Sequence, residues 1–269
     1  NSAVSFDKEL PENNIVTIQP DSLRILHNPL TGWVLYASMG VDAADFWAQY
    51  DHMYIPELGH NVSVTDYAHT LYIRASWTDF NPQEDVYGWK IDSNLRAYIE
   101  GAYQRNMRLA FRVVVDSRDK RTEFTPQFVK DAGAKGFMNK GKWSPYSDDP
   151  VFQKYYTKFV KALAKDFNDP SKVEFIDGFG LGKWGEYHTM IYSTGDDTPK
   201  KAVFDWVTDI YSQAFDKVPV VINYHRWIGA GKDWVDDEHF AADSEEMLEE
   251  AIKKGYSLRH DAFGMTTYY

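Results

Sequence analysis

The 269-residue sequence contains no cysteine, which excludes a disulfide framework, thiolate catalysis and any zinc site built on sulfur. No apolar run approaches the roughly 18 residues needed to cross a bilayer, and Asn1 to Ser5 lack the charged and apolar regions of a secretion signal. Two settings fit: the cytosol, or a chain whose leader has been removed. The second, which puts the protein in the periplasm or at the cell surface, is the expectation carried forward. Basic residues are in deficit, with 29 Lys+Arg against 40 Asp+Glu and a formal net charge of −11, and no Lys/Arg-rich tract exists to neutralise phosphates. Nucleic acid is therefore excluded as a partner. The eight histidines never form H-E-x-x-H. The acidic stretches at Asp148-Asp149, Asp196-Asp197 and Asp236 to His239 lack the glycine and the spacing of a calcium loop, so loop solvation and helix capping explain them. No metal and no other cofactor is expected. A match to the N-glycosylation acceptor at Asn61-Val62-Ser63 is short enough to arise by chance.

Aromatic residues, by contrast, are plentiful: 9 Trp, 18 Tyr and 16 Phe make up 16% of the chain. Their flat apolar faces with polar handles suit sugar rings as well as cores. The sequence alternates short apolar runs with helical periods. Runs at 33–38, 70–77, 108–115, 173–180, 218–224 and 256–260 read as strands. Between them, Ile91, Leu95, Tyr98, Ile99 and Ala102 recur at helical spacing, as do Phe152, Tyr155, Tyr156, Phe159, Val160 and Leu163. Further helices are expected over about 200–215 and 244–254. Strands separated by helices imply parallel pairing with right-handed crossovers. With no G-x-G-x-x-G turn after the first strand, where a dinucleotide-binding sheet carries it, the pattern favours a (β/α) TIM-type barrel. Residues 1–30 read as an N-terminal lead segment and 31–269 as the barrel domain. Six β/α units are visible where a closed barrel has eight, so strands seven and eight are expected outside this sequence. A C-terminal fragment or a neighbouring copy would then cover the open edge. Long stretches at 39–69, 116–149 and 225–243 exceed ordinary connections of roughly 2 to 6 residues.

In such a barrel, chemistry sits at the C-terminal ends of the strands. The fourth strand leaves through Gly180 to His188, a glycine-rich exit carrying Glu186 beside Trp184 and His188. A carboxyl next to an indole is poorly solvated, which pushes it toward a general acid. Glu186 is thus the first catalytic candidate, against the alternative of a surface glutamate. Arg74 and Arg112 lie within strands two and three, where each either pairs structurally with a carboxylate or orients sugar hydroxyls. Asp116, Ser117 and Arg118 follow strand three, and Asn223 and His225 follow strand five with Trp227. Trp77, Trp143, Trp184 and Trp227 are candidate stacking platforms, with one or two of the four expected to touch ligand and the rest to pack.

A resemblance sharpens this reading. The segment from Trp77 through Pro82, Tyr87, Gly88 and Trp89 to Ile91-Asp92 resembles the W-x-x-x-x-P-x-x-G-x-Y-x-W-x-x-[LI]-D stretch after strand two of β-galactosidase-like, clan A glycoside hydrolases. Here Glu84-Asp85-Val86-Tyr87 replaces the usual Glu-Gly before the aromatic. The run Trp184-Gly185-Glu186-Tyr187-His188 is similar to the strand-four motif of related bacterial barrel proteins, with Gly185 where clan A enzymes usually have Asn. The resemblance covers roughly residues 28–264. It implies an acid/base role for Glu186, a carbohydrate ligand, and a nucleophilic glutamate on strand seven.

By the strand count that nucleophile is absent from this sequence. Hydrolysis needs two carboxyl groups, about 5 to 5.5 Å apart for retention and about 6.5 to 9.5 Å for inversion. The best second carboxyl within the sequence is Asp261, at the end of strand six. It is either a catalytic partner or a loop cap pairing with Arg259. Three functions remain open: a glycoside hydrolase of poly- or oligosaccharides, a glycan-binding barrel that uses aromatic platforms without catalysis, and a barrel enzyme of unrelated chemistry, since a fold alone does not name a reaction.

Overall fold

The computed structural model describes residues 32–37, 39–118, 122–224, 227–231 and 243–260. Strand β1 (Trp33–Tyr36) leads to helix α1 (Ala43–Asp51), whose start is capped by the Asp42 carboxylate accepting from the Ala44 amide. A short antiparallel hairpin follows, β2 (Met53–Ile55) with β3 (His60–Val62). Strand β4 (Ala68–Ser76) then runs into helix α2 (Trp77–Phe80). Ser76 ends the strand because it forms a capping box with Asp79, so Trp77 belongs to the helix, one residue earlier than the apolar run suggests. Helix α3 (Gly88–Ile91) and helix α4 (Ser93–Gln104), capped by Asp92, lead to β5 (Arg108–Val114). The long stretch beyond β5 holds helix α5 (Gln127–Asp131) and a second antiparallel hairpin, β6 (Gly136–Asn139) with β7 (Lys142–Pro145). Helix α6 (Pro150–Phe167) starts on Asp149, which accepts from the amides of Val151 and Phe152, with proline in its first turn. The remaining elements are β8 (Val173–Asp177), α7 (Lys200–Ala214), β9 (Val220–Asn223), α8 (Ser244–Lys253) and β10 (Tyr256–Arg259).

Six of the strands form one parallel sheet in the order β1-β4-β5-β8-β9-β10, which is their order along the chain. Sequential parallel strands joined through helices are the winding of a (β/α) barrel. Among the described residues the sheet is open, with β1 and β10 as its edges. All six strands stand where the apolar runs put them, with the fourth ending at Asp177 because Gly178 to Gly182 turn away. The helix α1 lies inside a stretch that reads as loop. Its signal is the stripe Ala43, Phe46 and Trp47, all buried behind a capping aspartate.

Alternation along the strands separates two faces. Leu71, Ile73 and Ala75 of β4 and Leu109, Phe111 and Val113 of β5 are buried in one apolar core with Tyr98, Phe159 and Phe167 from the helices. The intervening residues, Ala110 and Val114 excepted, are polar or aromatic. Tyr72 and Arg74 of β4, Arg112 of β5, Phe175 of β8 and Arg259 of β10 line a common cavity on the other face. Among the described residues no helix is long and apolar enough to cross a membrane.

Candidate active site

The exit of β8 is built so that only glycine fits. A Cβ on Gly178 would lie 2.2 Å from a methyl of Val220, and one on Gly180, where φ is +73°, would lie 2.4 Å from the carbonyl oxygen of Val113. Two buried tyrosines hold this segment from behind. The Tyr256 hydroxyl donates to the Gly178 carbonyl at 2.6 Å, and the Tyr156 hydroxyl to the Phe179 carbonyl at 3.2 Å. Burial raises the ionisation of both phenols well above the usual tyrosine range, so they stay neutral donors.

The chain then makes a 3-10 turn over Lys183–Gly185 and delivers Glu186. Trp184, Tyr187 and Thr189 take left-handed φ values of 59°, 64° and 52°. Side chains of this bulk rarely adopt that conformation, at a cost of about 1–3 kcal/mol each. Each of the three carbonyls is held from a different element. Arg74 Nη2 donates to Trp184 O at 2.5 Å, the Gly229 amide to Tyr187 O at 2.7 Å, and Arg118 Nη2 to Thr189 O at 2.5 Å. The loop therefore keeps a strained path because three neighbours fasten it.

Glu186 is 9% exposed. Its Oε1 accepts from Arg112 Nη1 at 3.2 Å and lies 3.5 Å from Arg74 Nη1, while its Oε2 is 3.6 Å from Nε2 of the buried His188. Its nearest polar neighbours are thus two guanidinium groups rather than the indole that the sequence sets beside it. Behind them is a second carboxylate, Asp177, fully buried. Its Oδ2 accepts from Tyr72 Oη at 2.5 Å, Arg112 Nε at 2.9 Å and Arg259 Nη1 at 2.6 Å. Burial first, and the Asp177 charge second, push the Tyr72 phenol well above the ordinary tyrosine range.

Two cavities meet at Glu186. One, of about 340 Å³ at the strand ends, is walled by Tyr36, Arg74, Asp79, Asp116, Phe124, Trp184 and Glu186. The other, of about 730 Å³, lies between the sheet edges and is walled by Val34 and Tyr36 of β1, Ser257 and Leu258 of β10, and the inward-facing Tyr72, Arg74 and Arg112. Tyr36, Arg74 and Glu186 border both. A third cavity of about 650 Å³, around Asp51, His52 and Arg105, contains none of the candidate residues. Among the described residues there is no group of three or more His, Asp or Glu that could hold a metal ion.

The other residues singled out in the sequence fall in several places. Asp116 borders the mouth cavity and is ion-paired with Arg118, whose Nε donates to Asp116 Oδ2 at 2.8 Å. His188 shares a hydrogen bond of 2.7 Å with Thr189 Oγ1. Asn223 and Trp227 are buried. Trp77 packs in the core with its ring against Phe128, Phe152 and Tyr156, borders neither cavity, and has no free face for a sugar. Trp143 is likewise buried, beneath Lys130. His225 and Asp261 lie outside the described residues, as does the lead segment 1–30. Three participants escaped the sequence reading: Tyr36, Tyr72 and Asp177. Tyr72 stands two residues before Arg74, so the strand period alone would have put it on the same face.

No protein-family model and no curated protein matches the chain. Solved structures with which it shares some likeness include an exo-β-1,4-mannosidase from Opitutaceae bacterium strain TAV5, at 15% identity and a TM-score of 0.44, covering 68% of this chain and 29% of that one. Xylanase B from Clostridium stercorarium F9 aligns at 14% identity and a TM-score of 0.47, over 84% of this chain and 60% of its own. Endo-glycoceramidase II from Rhodococcus sp. aligns at 13% identity and a TM-score of 0.45, over 83% and 60%. This chain therefore spans less than two thirds of the length of each. All three scores are below 0.5, and the fold assignment stands on strand order and register instead.

Proposed function

We propose that this chain carries the acid/base half of a (β/α)-barrel glycoside hydrolase acting on a poly- or oligosaccharide, with Glu186 as the general acid/base. One observation carries the reading: Glu186 is brought, almost buried, to the C-terminal mouth of the parallel sheet, where it borders a cavity shared with the aromatic rings of Tyr36 and Trp184. An aromatic face binds the apolar side of a sugar ring, and the carboxyl group protonates the glycosidic oxygen as the bond to the anomeric carbon breaks. On a retaining route the second carboxylate bonds to the anomeric carbon as the leaving group departs, and the water that displaces it gives its proton to Glu186, now a carboxylate; on an inverting route the second carboxylate takes the water's proton and Glu186 is the acid alone. Arg74 and Arg112 hold the group in place between turnovers.

The second carboxyl is Asp261 or comes from the polypeptide that covers the gap between β1 and β10. Support for such a cover comes from the edges themselves, where Val34, Tyr36 and Leu258 are 48%, 52% and 45% exposed beside strand backbone that, among the described residues, pairs on one side only. A further stretch of this protein or a neighbouring copy of the chain would fill the role.

A glycan-binding protein without catalysis is the second reading, favoured by one observation. The other carboxylates of the mouth cavity are already engaged, Asp116 with Arg118 and Asp79 with the amide and hydroxyl of Ser76. The two readings separate on one experiment. A panel of aryl glycosides and oligosaccharides is incubated with the protein and with Glu186→Gln, and both turnover and binding are followed. With the gap between β1 and β10 covered, oligosaccharide turnover that Glu186→Gln abolishes supports hydrolysis; binding that survives in both proteins without turnover supports the second reading.

A further inference from the structure

Arg112 touches two carboxylates with two different nitrogens. Its Nε donates to Asp177 Oδ2 at 2.9 Å, and its Nη1 to Glu186 Oε1 at 3.2 Å. A guanidinium is a rigid planar fork, so fixing Nε also fixes where Nη1 points. Arg112 and Asp177 are 1% and 0% exposed, which leaves the pair little room to rearrange. Asp177 is itself pinned from two more strands, by Tyr72 of β4 and Arg259 of β10, with all three donors on the same oxygen. Its other oxygen, Oδ1, has no hydrogen-bond partner among the described residues, so rotation of the carboxylate would sacrifice three bonds. Hydrogen bonds in which the donor or the acceptor is charged are the strong ones.

We propose that Asp177 is a positioning residue, which acts through Arg112 to set where the Glu186 carboxylate stands. The inference rests on Glu186 as acid/base for its catalytic consequence, but the coupling between the two carboxylates is a property of the buried network. The charged and titratable groups around it are Arg74 from β4, Arg112 from β5 and His188 from the loop, all facing Glu186, with Tyr72 and Arg259 on Asp177. Asp79 and Asp116 border the same mouth cavity.

The test compares the wild type with Asp177→Asn, which keeps shape and an acceptor but removes the charge. Three quantities are read: turnover and KM on a glycoside substrate, the carbon-13 chemical shift of the Glu186 carboxyl at one fixed pH, and the nitrogen-15 signal of Arg112 Nε. Turnover is followed in the full-length protein with whatever covers the β1–β10 gap present. The expected result is a loss in kcat of at least about tenfold with KM within about twofold. The Glu186 carboxyl and Arg112 Nε signals should both shift. If Glu186→Gln abolishes turnover while Asp177→Asn retains kcat and both signals, the inference is overturned and the acid/base reading stands. If the wild type with the gap covered turns over no glycoside, the acid/base reading fails, and the Glu186 signal alone decides: a shift supports the coupling, and an unchanged signal ends it. Should Asp177→Asn fail to fold, Tyr72→Phe removes one of the three donors on Asp177 and is read in the same way, with smaller changes in the Arg112 and Glu186 signals.

Discussion

Arg74 and Arg112 stand in register on neighbouring parallel strands, side by side on the inner face of the sheet. Two adjacent guanidinium groups repel each other unless anions lie between or behind them. Glu186 accepts from Arg112 and pairs with Arg74, and Asp177 takes the other side of Arg112. With Arg259 on Asp177 as a third guanidinium, the candidate acid/base is one of two carboxyl groups in a cluster with three arginines, and its place is set by the cluster as much as by its own loop.

Removing Arg112 should cost far more stability than removing Arg74. Arg112→Met strips a fully buried ion from Asp177, a change that typically costs about 3–5 kcal/mol. Arg74 is 23% exposed, so water can take its place beside Glu186, and Arg74→Met should cost about 1 kcal/mol. Urea denaturation of both variants checks the order; equal losses would show that the burial of Arg112 has no energetic consequence.

Glu186→Gln should lower kcat/KM by about 10² to 10⁴-fold on substrates with poor leaving groups, which need a proton. Aryl glycosides with acidic leaving groups should be much less affected. A series of leaving groups gives the dependence directly. A uniform loss across the series would point to a role other than proton donation.

The strand exit should be intolerant of any side chain at Gly180, but an equally left-handed glycine elsewhere should accept one. Gly59 has φ +68° and nothing within 4 Å of the place a methyl group would take, so Gly59→Ala costs only the backbone preference, about 1–2 kcal/mol. Gly180→Ala adds close contacts with the Val113 carbonyl at 2.4 Å and the Tyr156 hydroxyl at 2.5 Å. A lower melting temperature for Gly180→Ala than for Gly59→Ala is the expected outcome.

Acid stability should respond to Asp51, far from the candidate site. Hydrogen bonding from Arg105 holds the Asp51 carboxyl below its ordinary value. A depressed carboxylate contributes stability that is present above the unfolded value, about 3.9, and is lost as pH falls through the folded one. Asp51→Asn should therefore be less stable than the wild type at neutral pH, with the difference closing below about pH 4. Denaturation curves at several pH values measure it; a difference that persists unchanged at low pH would contradict the assignment.

Much of the architecture was legible in the sequence because apolar periodicity is local. The runs at 108–115 and 256–260, and the stripe from Phe152 to Leu163, announce β5, β10 and α6 within a few residues. Glycine at 178, 180 and 182 likewise marks the exit that carries Glu186. What the sequence by itself determined is the order of the six sheet strands with the helices α4, α6, α7 and α8 between them, and the residue that leaves strand four toward the mouth. Only the tertiary structure decided which groups surround that residue. Asp177 and Tyr72 are 105 positions apart, and Arg259 is 82 from Asp177, yet all three meet on one oxygen. Pairings over such distances depend on how parallel strands align in register, which no local pattern encodes. The same holds for Trp77, whose motif reads as a stacking platform until Ser76 starts a helix and turns the indole into the core.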